Sequence, residues 1–349
     1  MYSESDIEAA IAAGAMTPEA AAALRAHAGA KNSAPMVDEE NIRLVTSFND
    51  IFVTIASILV LMAAFRIGVS IQGLGVALAL EAATAWLLAE FFTRKRHMAL
   101  PSIVLLISFV CSVFGAALAF SGSAESPGLL VSFVGNNGGA AINIAVCAAI
   151  AAGGAYLHWR RFYVPITVAA GTCALVGMII AIVASVLPKQ GPILLMLCLA
   201  GGLAVFAFAM WWDMSDRDRK TRKSDVAFWL HLAAAPMIVH PIFWLLGLLE
   251  GRGADPVHAA IVIIVYLLFG VIALAIDRRA LLVSALFYVL YALTALVHRF
   301  GAVNLDFAIT AFLIGSALLL LSAFWHPARV KIVGWLPAEW QARLPSLSR

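Results

Sequence analysis

Residues 225–249, DVAFWLHLAAAPMIVHPIFWLLGLL, are long and apolar enough to cross a bilayer, yet they hold His231, His240, Pro236 and Pro241. Neither residue type is neutral in hydrocarbon. An imidazole nitrogen there needs a hydrogen-bond partner, and each proline releases a carbonyl one turn back. Pro236 releases the carbonyl of Leu232, and Pro241 that of Met237. A helix broken in this way persists where other helices or a wet cavity satisfy the released groups. The chemistry available is proton exchange, since histidine and a buried acid can both titrate near neutrality.

Four further polar residues stand in apolar runs: Arg66, Glu81, Glu90 and the neutral Asn143. If the second run descends from outside and the seventh returns, Glu81 and His240 each lie about 13 Å from the outer end. Glu90 and His231 each lie about 27 Å from it. Two acids and two histidines therefore match in level. Nine residues turn a straight helix by about 180°, so both tiers meet only if the prolines reorient one histidine. The deeper pair, Glu81 with His240 beside Pro241, is the favoured site, with Arg66 able to reach toward Glu81. Glu90 and His231 are close enough to the inner face to be ordinary interfacial residues. Ser224 and Asp225 are expected as a helix N-cap and its first residue.

The elements that must position these groups are membrane helices. Of 349 residues 63% are hydrophobic and 12% charged, with mean hydropathy +0.95; a soluble domain carries about 25% charged residues. The fold expected is all-α. Apolar runs of spanning length fall at 51–70, 72–91, 100–120, 137–157, 163–187, 192–212, 226–249, 257–276, 280–299 and 306–325. With the N-terminus inside, only Arg66, Lys189, Arg252 and Arg299 of the 23 Lys+Arg fall in outer segments. That alternation fits ten spans with both termini cytoplasmic. Trp159, Trp211, Trp212 and Trp325 fall at the inner boundaries, where an aromatic belt belongs. Ten spans divide into five plus five, and an odd number per half inverts one half against the other. Helices two and seven are then equivalent, an arrangement that secondary transporters use. It resembles the ten-span drug/metabolite transporters in helix count, without their motifs.

Residues 1–49 form a cytosolic segment. Ser5 with Glu8 makes a capping box, Gly14 stops the first helix, and Thr17-Pro18-Glu19 starts the second. Ile7, Ile11 and Leu24 form the contact face of this hairpin. DEENIRLVTSF then forms an amphipathic surface helix with Ile42, Val45 and Phe48 on one side. The stretch IEAAIAAGAMTPEAAAALRAHA resembles the N-terminal hairpin, AAG-x-(I/M)-(S/T)-P-E-x-A, that precedes the membrane part of some bacterial polytopic proteins. The resemblance implies a bacterial inner-membrane protein and no activity. After the membrane domain, 50–326, residues 327–349 form a cytosolic amphipathic tail with Trp335, Leu336 and Trp340 among arginines, expected on the inner membrane surface.

Several classes are set aside. No basic cluster comes with a nucleic-acid-binding pattern. Cys111, Cys147, Cys173 and Cys198 are far apart and are expected as small core residues, without CxxC or metal spacing. No cofactor motif stands in the chain. Three readings remain. A secondary transporter or permease would bind a small molecule or ion between helices two and seven. A membrane-anchored sensor or scaffold would engage a protein partner through residues 1–35. A membrane-embedded hydrolase would use Ser224, Asp225 and His231, with Glu90 in reach, although no HxxxH or HExxH is present and zinc needs three protein ligands.

Overall fold

Lipid offers no partner to a bare backbone, and a helix closes its hydrogen bonds within one segment. The computed structural model is accordingly helical, without strand among the described residues. These are 10–23, 48–122, 138–187, 191–217, 219, 221–247, 256–279, 282–283, 285–286, 289–290, 306–341 and 344–345. Among the described residues seven helices are long and apolar enough to cross a membrane. They are α1 Phe48–Gln72, α2 Leu74–Phe92, α3 Ala99–Phe120, α4 Gly138–Phe162, α5 Ile166–Val186, α6 Gly191–Met214 and α7 Arg222–Leu245. α8 Pro256–Ile276, α9 Asp306–Ala323 and the short α10 Trp325–Gly334 and α11 Ala338–Gln341 follow. α1 to α8 coincide with the first eight apolar runs and α9 with the tenth. The ninth run, 280–299, lies almost wholly outside the described residues.

The chain divides into two compact units, Met1–Leu44 and Val45–Arg349. In the first, Gly14 ends a helix with a left-handed φ of 70°, and Thr17 Oγ1 accepts from the Ala20 N–H at 3.2 Å as the next helix starts. The rest of the expected hairpin, Ile7 and Leu24 included, lies outside the described residues, as does the amphipathic helix before Phe48.

The second unit is a set of helical hairpins. α1 and α2 are joined through Gly73, whose φ of 88° reverses the chain in a single residue. Each helix from α2 to α5 packs on its predecessor, and α7 packs on both α6 and α5. α7 is the most enclosed: 56% of its spanning window is buried, against 22–33% for the other six. Leu230, Val239 and Phe243 of α7 are the centre of the largest apolar cluster, joined by Val205 and Ala209 of α6 and Val262 and Phe269 of α8.

The carbonyl released by Pro241 is met from α6. Cys198 Sγ donates to Met237 O at 3.7 Å, and a Cβ added to Gly202 would stand 2.9 Å from the Met237 carbonyl carbon. The glycine lets two backbones approach where Pro241 leaves a carbonyl without its helical donor. The N-cap of α7 is Thr221, not Ser224: its side chain accepts from the Lys223 N–H, and Asp216 Oδ2 accepts from both the Thr221 N–H and its hydroxyl. The acid behind Thr221 fixes the cap three residues earlier than the Ser-Asp pair suggests. Cys147 is buried and Cys198 half-buried, but Cys111 and Cys173 face outward, as a membrane helix permits for an apolar thiol.

Candidate functional site

The charged ends of α6, α7 and α8 converge. α6 ends on Trp212-Asp213-Met214, α8 is followed by Asp277-Arg278, and α7 enters at Arg222. His231 stands nine residues into α7 and is fully buried. Its Nε2 lies 2.9 Å from Asp213 Oδ2. Arg278 grips the same carboxylate, Nη2 to Oδ1 at 2.6 Å and Nε to Oδ2 at 3.4 Å, while Nη2 also donates to Ser224 O at 3.0 Å. Asp213 and Arg278 are each 2% exposed. Isolated charges of this kind would be expelled from a low-dielectric interior; a bidentate guanidinium and an imidazole N–H make this carboxylate tolerable.

The ion pair of Asp213 with Arg278 assigns the tautomer. An ionised Asp213 only accepts, so Nε2 of His231 carries the proton. Nδ1 is then bare, and it has no hydrogen-bond partner among the described residues. The ring packs edge-on against Phe206 at 5.1 Å. A second proton on Nδ1 would find no acceptor, so the surroundings must rearrange to hold it.

A second tier lies beside the first. Asp277 takes Arg219 Nη1 at 2.8 Å and Trp325 Nε1 at 2.8 Å, with Arg329 Nε at 3.7 Å. Arg219 Nη2 also donates to the carbonyls of Ile276 and Asp277. Burial pulls Arg219 below its ordinary value, Arg278 and Arg329 add to the pull, and Asp277 and Asp213 oppose it; an arginine so placed stays charged. Arg219 and Asp277 both have left-handed backbone, φ 53° and 58°. Asp tolerates that region better than most residues, and the ion pairs hold it there.

A second buried histidine offers a contrast. His158 of α4 is 1% exposed, enclosed by Phe162 at 4.5 Å, Phe109 at 5.7 Å and Trp86 at 5.8 Å. Its Nδ1 lies 3.4 Å from Thr167 Oγ1, and Nε2 has no partner among the described residues. This ring sits in an aromatic cage and not in an ion network.

The residues singled out from the sequence scatter. Glu81 is half-buried and accepts from Ser108 Oγ of α3 at 2.7 Å, so a hydroxyl, not Arg66 or His240, positions this acid. Arg66 and His240 are exposed, on α1 and α7. Glu90 pairs with Arg161 Nε at 2.7 Å and Arg94 Nη1 at 3.3 Å, an interfacial pairing between α2 and α4. Asn143 Nδ2 donates to Ser121 Oγ at 2.7 Å. His231 alone enters a buried charge network. Ser224 Oγ donates to Thr221 O at 3.3 Å, which occupies the hydroxyl a hydrolase would need. No group of three His, Cys, Asp or Glu able to hold a metal occurs among the described residues.

From the sequence Arg219 and Arg278 read as loop charges of the positive-inside pattern, and Asp213 and Asp277 stand beside them at helix ends. A signal existed. Asp213 ends the helix that precedes His231, and His231 lies about 14 Å along α7 from its first residue at 1.5 Å per residue. Trp325, expected in an aromatic belt, is 4% exposed and donates to Asp277. No protein-family model matches the chain, and no curated protein or solved structure matches it. The chain is an integral membrane protein on the evidence of its own helices.

Proposed function

We propose that the protein is a secondary transporter or permease for a small molecule or ion, with Asp213, His231 and Arg278 as its proton-responsive site. One observation carries this: a fully buried histidine, in a membrane helix that holds two prolines, bonded to a carboxylate on the neighbouring helix. Ionisable groups inside a membrane domain mark transport and proton pathways by default. Protonating His231 at Nδ1 demands movement, and Pro236 and Pro241 supply the weak points in α7 at which it can bend. A proton and a change of shape are thereby coupled. Glu81, hydrogen-bonded to Ser108, and the outward His240 are a second polar level on α2 and α7. In this reading the chain crosses a bacterial inner membrane ten times, five against five inverted, with both termini in the cytoplasm and the ion network on the cytoplasmic side.

Reconstitution tests it. Purified protein in liposomes with a trapped pH dye is offered amino acids, sugars, organic acids, nucleosides and inorganic ions in turn. At least one should drive proton movement in the natural protein and not in His231→Gln. Proton movement that survives in His231→Gln, or a protein inert to every class offered, would overturn the assignment.

A further inference from the structure

Asp277 and Arg278 are consecutive, yet they serve different partners. Arg278 holds Asp213 and the Ser224 carbonyl. Asp277 holds the segment after α9, through Trp325 and Arg329, and the α6–α7 corner through Arg219. The next residue, Arg279, lies over the Trp325 ring at 4.9 Å. The same segment is fastened again by Arg217, whose Nε donates to Leu344 O at 3.0 Å and Nη2 to Gln341 O at 3.5 Å, and it is tied within itself where Arg329 Nη2 donates to Pro345 O at 2.8 Å.

The underside of that segment is apolar and continuous with the site. Val333 and Leu344 are buried with Ala235 of α7 and Ile276 of α8, and Phe206 packs against this cluster. Phe206 is also the ring that meets His231. Two routes therefore join the segment to the trio: a polar one through Asp277–Arg278 and an apolar one through Phe206.

We infer that residues 325–341, with Leu344 and Pro345, are a strap that clamps the ends of α6, α7 and α8 and holds the Asp213–His231–Arg278 site closed. With the strap seated, Asp277 keeps the corner in its left-handed turn and Arg278 on Asp213. With the strap lifted, Asp277 loses Trp325 and Arg329 together, the corner is free to unwind, and Arg278 leaves the carboxylate. The surroundings of His231 can then rearrange as a second proton requires. The strap is thus a regulator of the site, an inference that rests on the trio being the functional site.

Hydrogen exchange of the full chain in lipid nanodiscs tests the strap without a substrate. Asp277→Asn keeps a residue suited to the left-handed turn and removes the charge; Trp325→Phe, milder, keeps an aromatic ring but removes the indole N–H and narrows the surface under Arg279. Both are compared with Glu339→Gln, on exposed α11. Each strap variant should speed exchange about tenfold both in peptides from 325–345 and in peptides from 211–224, in step. Glu339→Gln should change neither. Faster exchange in 325–345 with 211–224 unmoved would overturn the inference, as would no change in either variant. A protein that transports nothing but shows the coupled exchange would sink the transport reading and leave the clamp standing. Transport without coupled exchange would do the reverse.

Discussion

Two histidines are buried among the described residues, and their surroundings differ in kind. His158 sits among Trp86, Phe109 and Phe162, with one long contact to Thr167. His231 sits against Asp213, which Arg278 grips in turn. The first environment asks only for a flat ring of the right size. The second asks for an N–H at one defined point, a carboxylate on the next helix, and a guanidinium behind it. Burial alone therefore does not distinguish the two histidines; the charge facing the nitrogen does. Variants at the two sites should separate these roles.

The largest effect should follow from breaking the carboxylate alone. Asp213→Ala leaves Arg278 buried without its counter-ion, a loss of about 3–5 kcal/mol for a buried pair. A melting curve in detergent should show it as a strongly lowered transition or as failure to recover folded protein. Replacing the network as a unit sharpens the point. The triple change Asp213→Leu, His231→Phe and Arg278→Met removes every charge at once, and should restore most of that stability while abolishing transport. A triple variant that still transports would make the network structural.

Next in size is helix packing. Gly202→Val places a side chain against the Met237 backbone and Ile238, where a Cβ already meets atoms at 2.9 Å. Overpacking of this kind costs about 1–3 kcal/mol, and a thermal shift should report it. At the other histidine, His158→Phe keeps a ring in the cage and removes the unpartnered Nε2 together with the long Nδ1 contact to Thr167, so stability should move by less than about 1.5 kcal/mol and proton movement should persist. Loss of transport in this variant would erase the distinction between the two sites. Smallest of all, Glu90→Gln removes a solvent-screened pairing with Arg161 and Arg94, and neither stability nor transport should change measurably.

The helices were legible because their signal is redundant: apolar runs about 20 residues long, bounded by arginines and aromatics, report themselves. The importance of α7 was legible too, because a histidine and a proline in such a run each violate a local preference. Even the carbonyl at Met237 could be named in advance, and Cys198 meets it. The site was harder. Level along the membrane can be counted from the sequence, and it matches Glu90 to His231. Which helix packs beside α7 cannot be counted. α6 does, so Asp213 supplies the carboxylate, while Glu90 turns to Arg161 of α4. Glu81 likewise finds the Ser108 hydroxyl on α3, the helix beside its own. Asp277 was hidden for another reason. Its partners Trp325 and Arg329 lie about fifty residues on, and only the tertiary fold brings them back.

The most direct test of the trio is the state of the His231 ring. ¹⁵N-histidine-labelled protein in nanodiscs, with His231→Gln and His158→Phe to assign the two buried rings, would report it by NMR. The account predicts His231 with its proton on Nε2 and a resonance that moves in Asp213→Asn, while the His158 signals stay in place. A proton on Nδ1, or a His231 signal indifferent to Asp213→Asn, would contradict it.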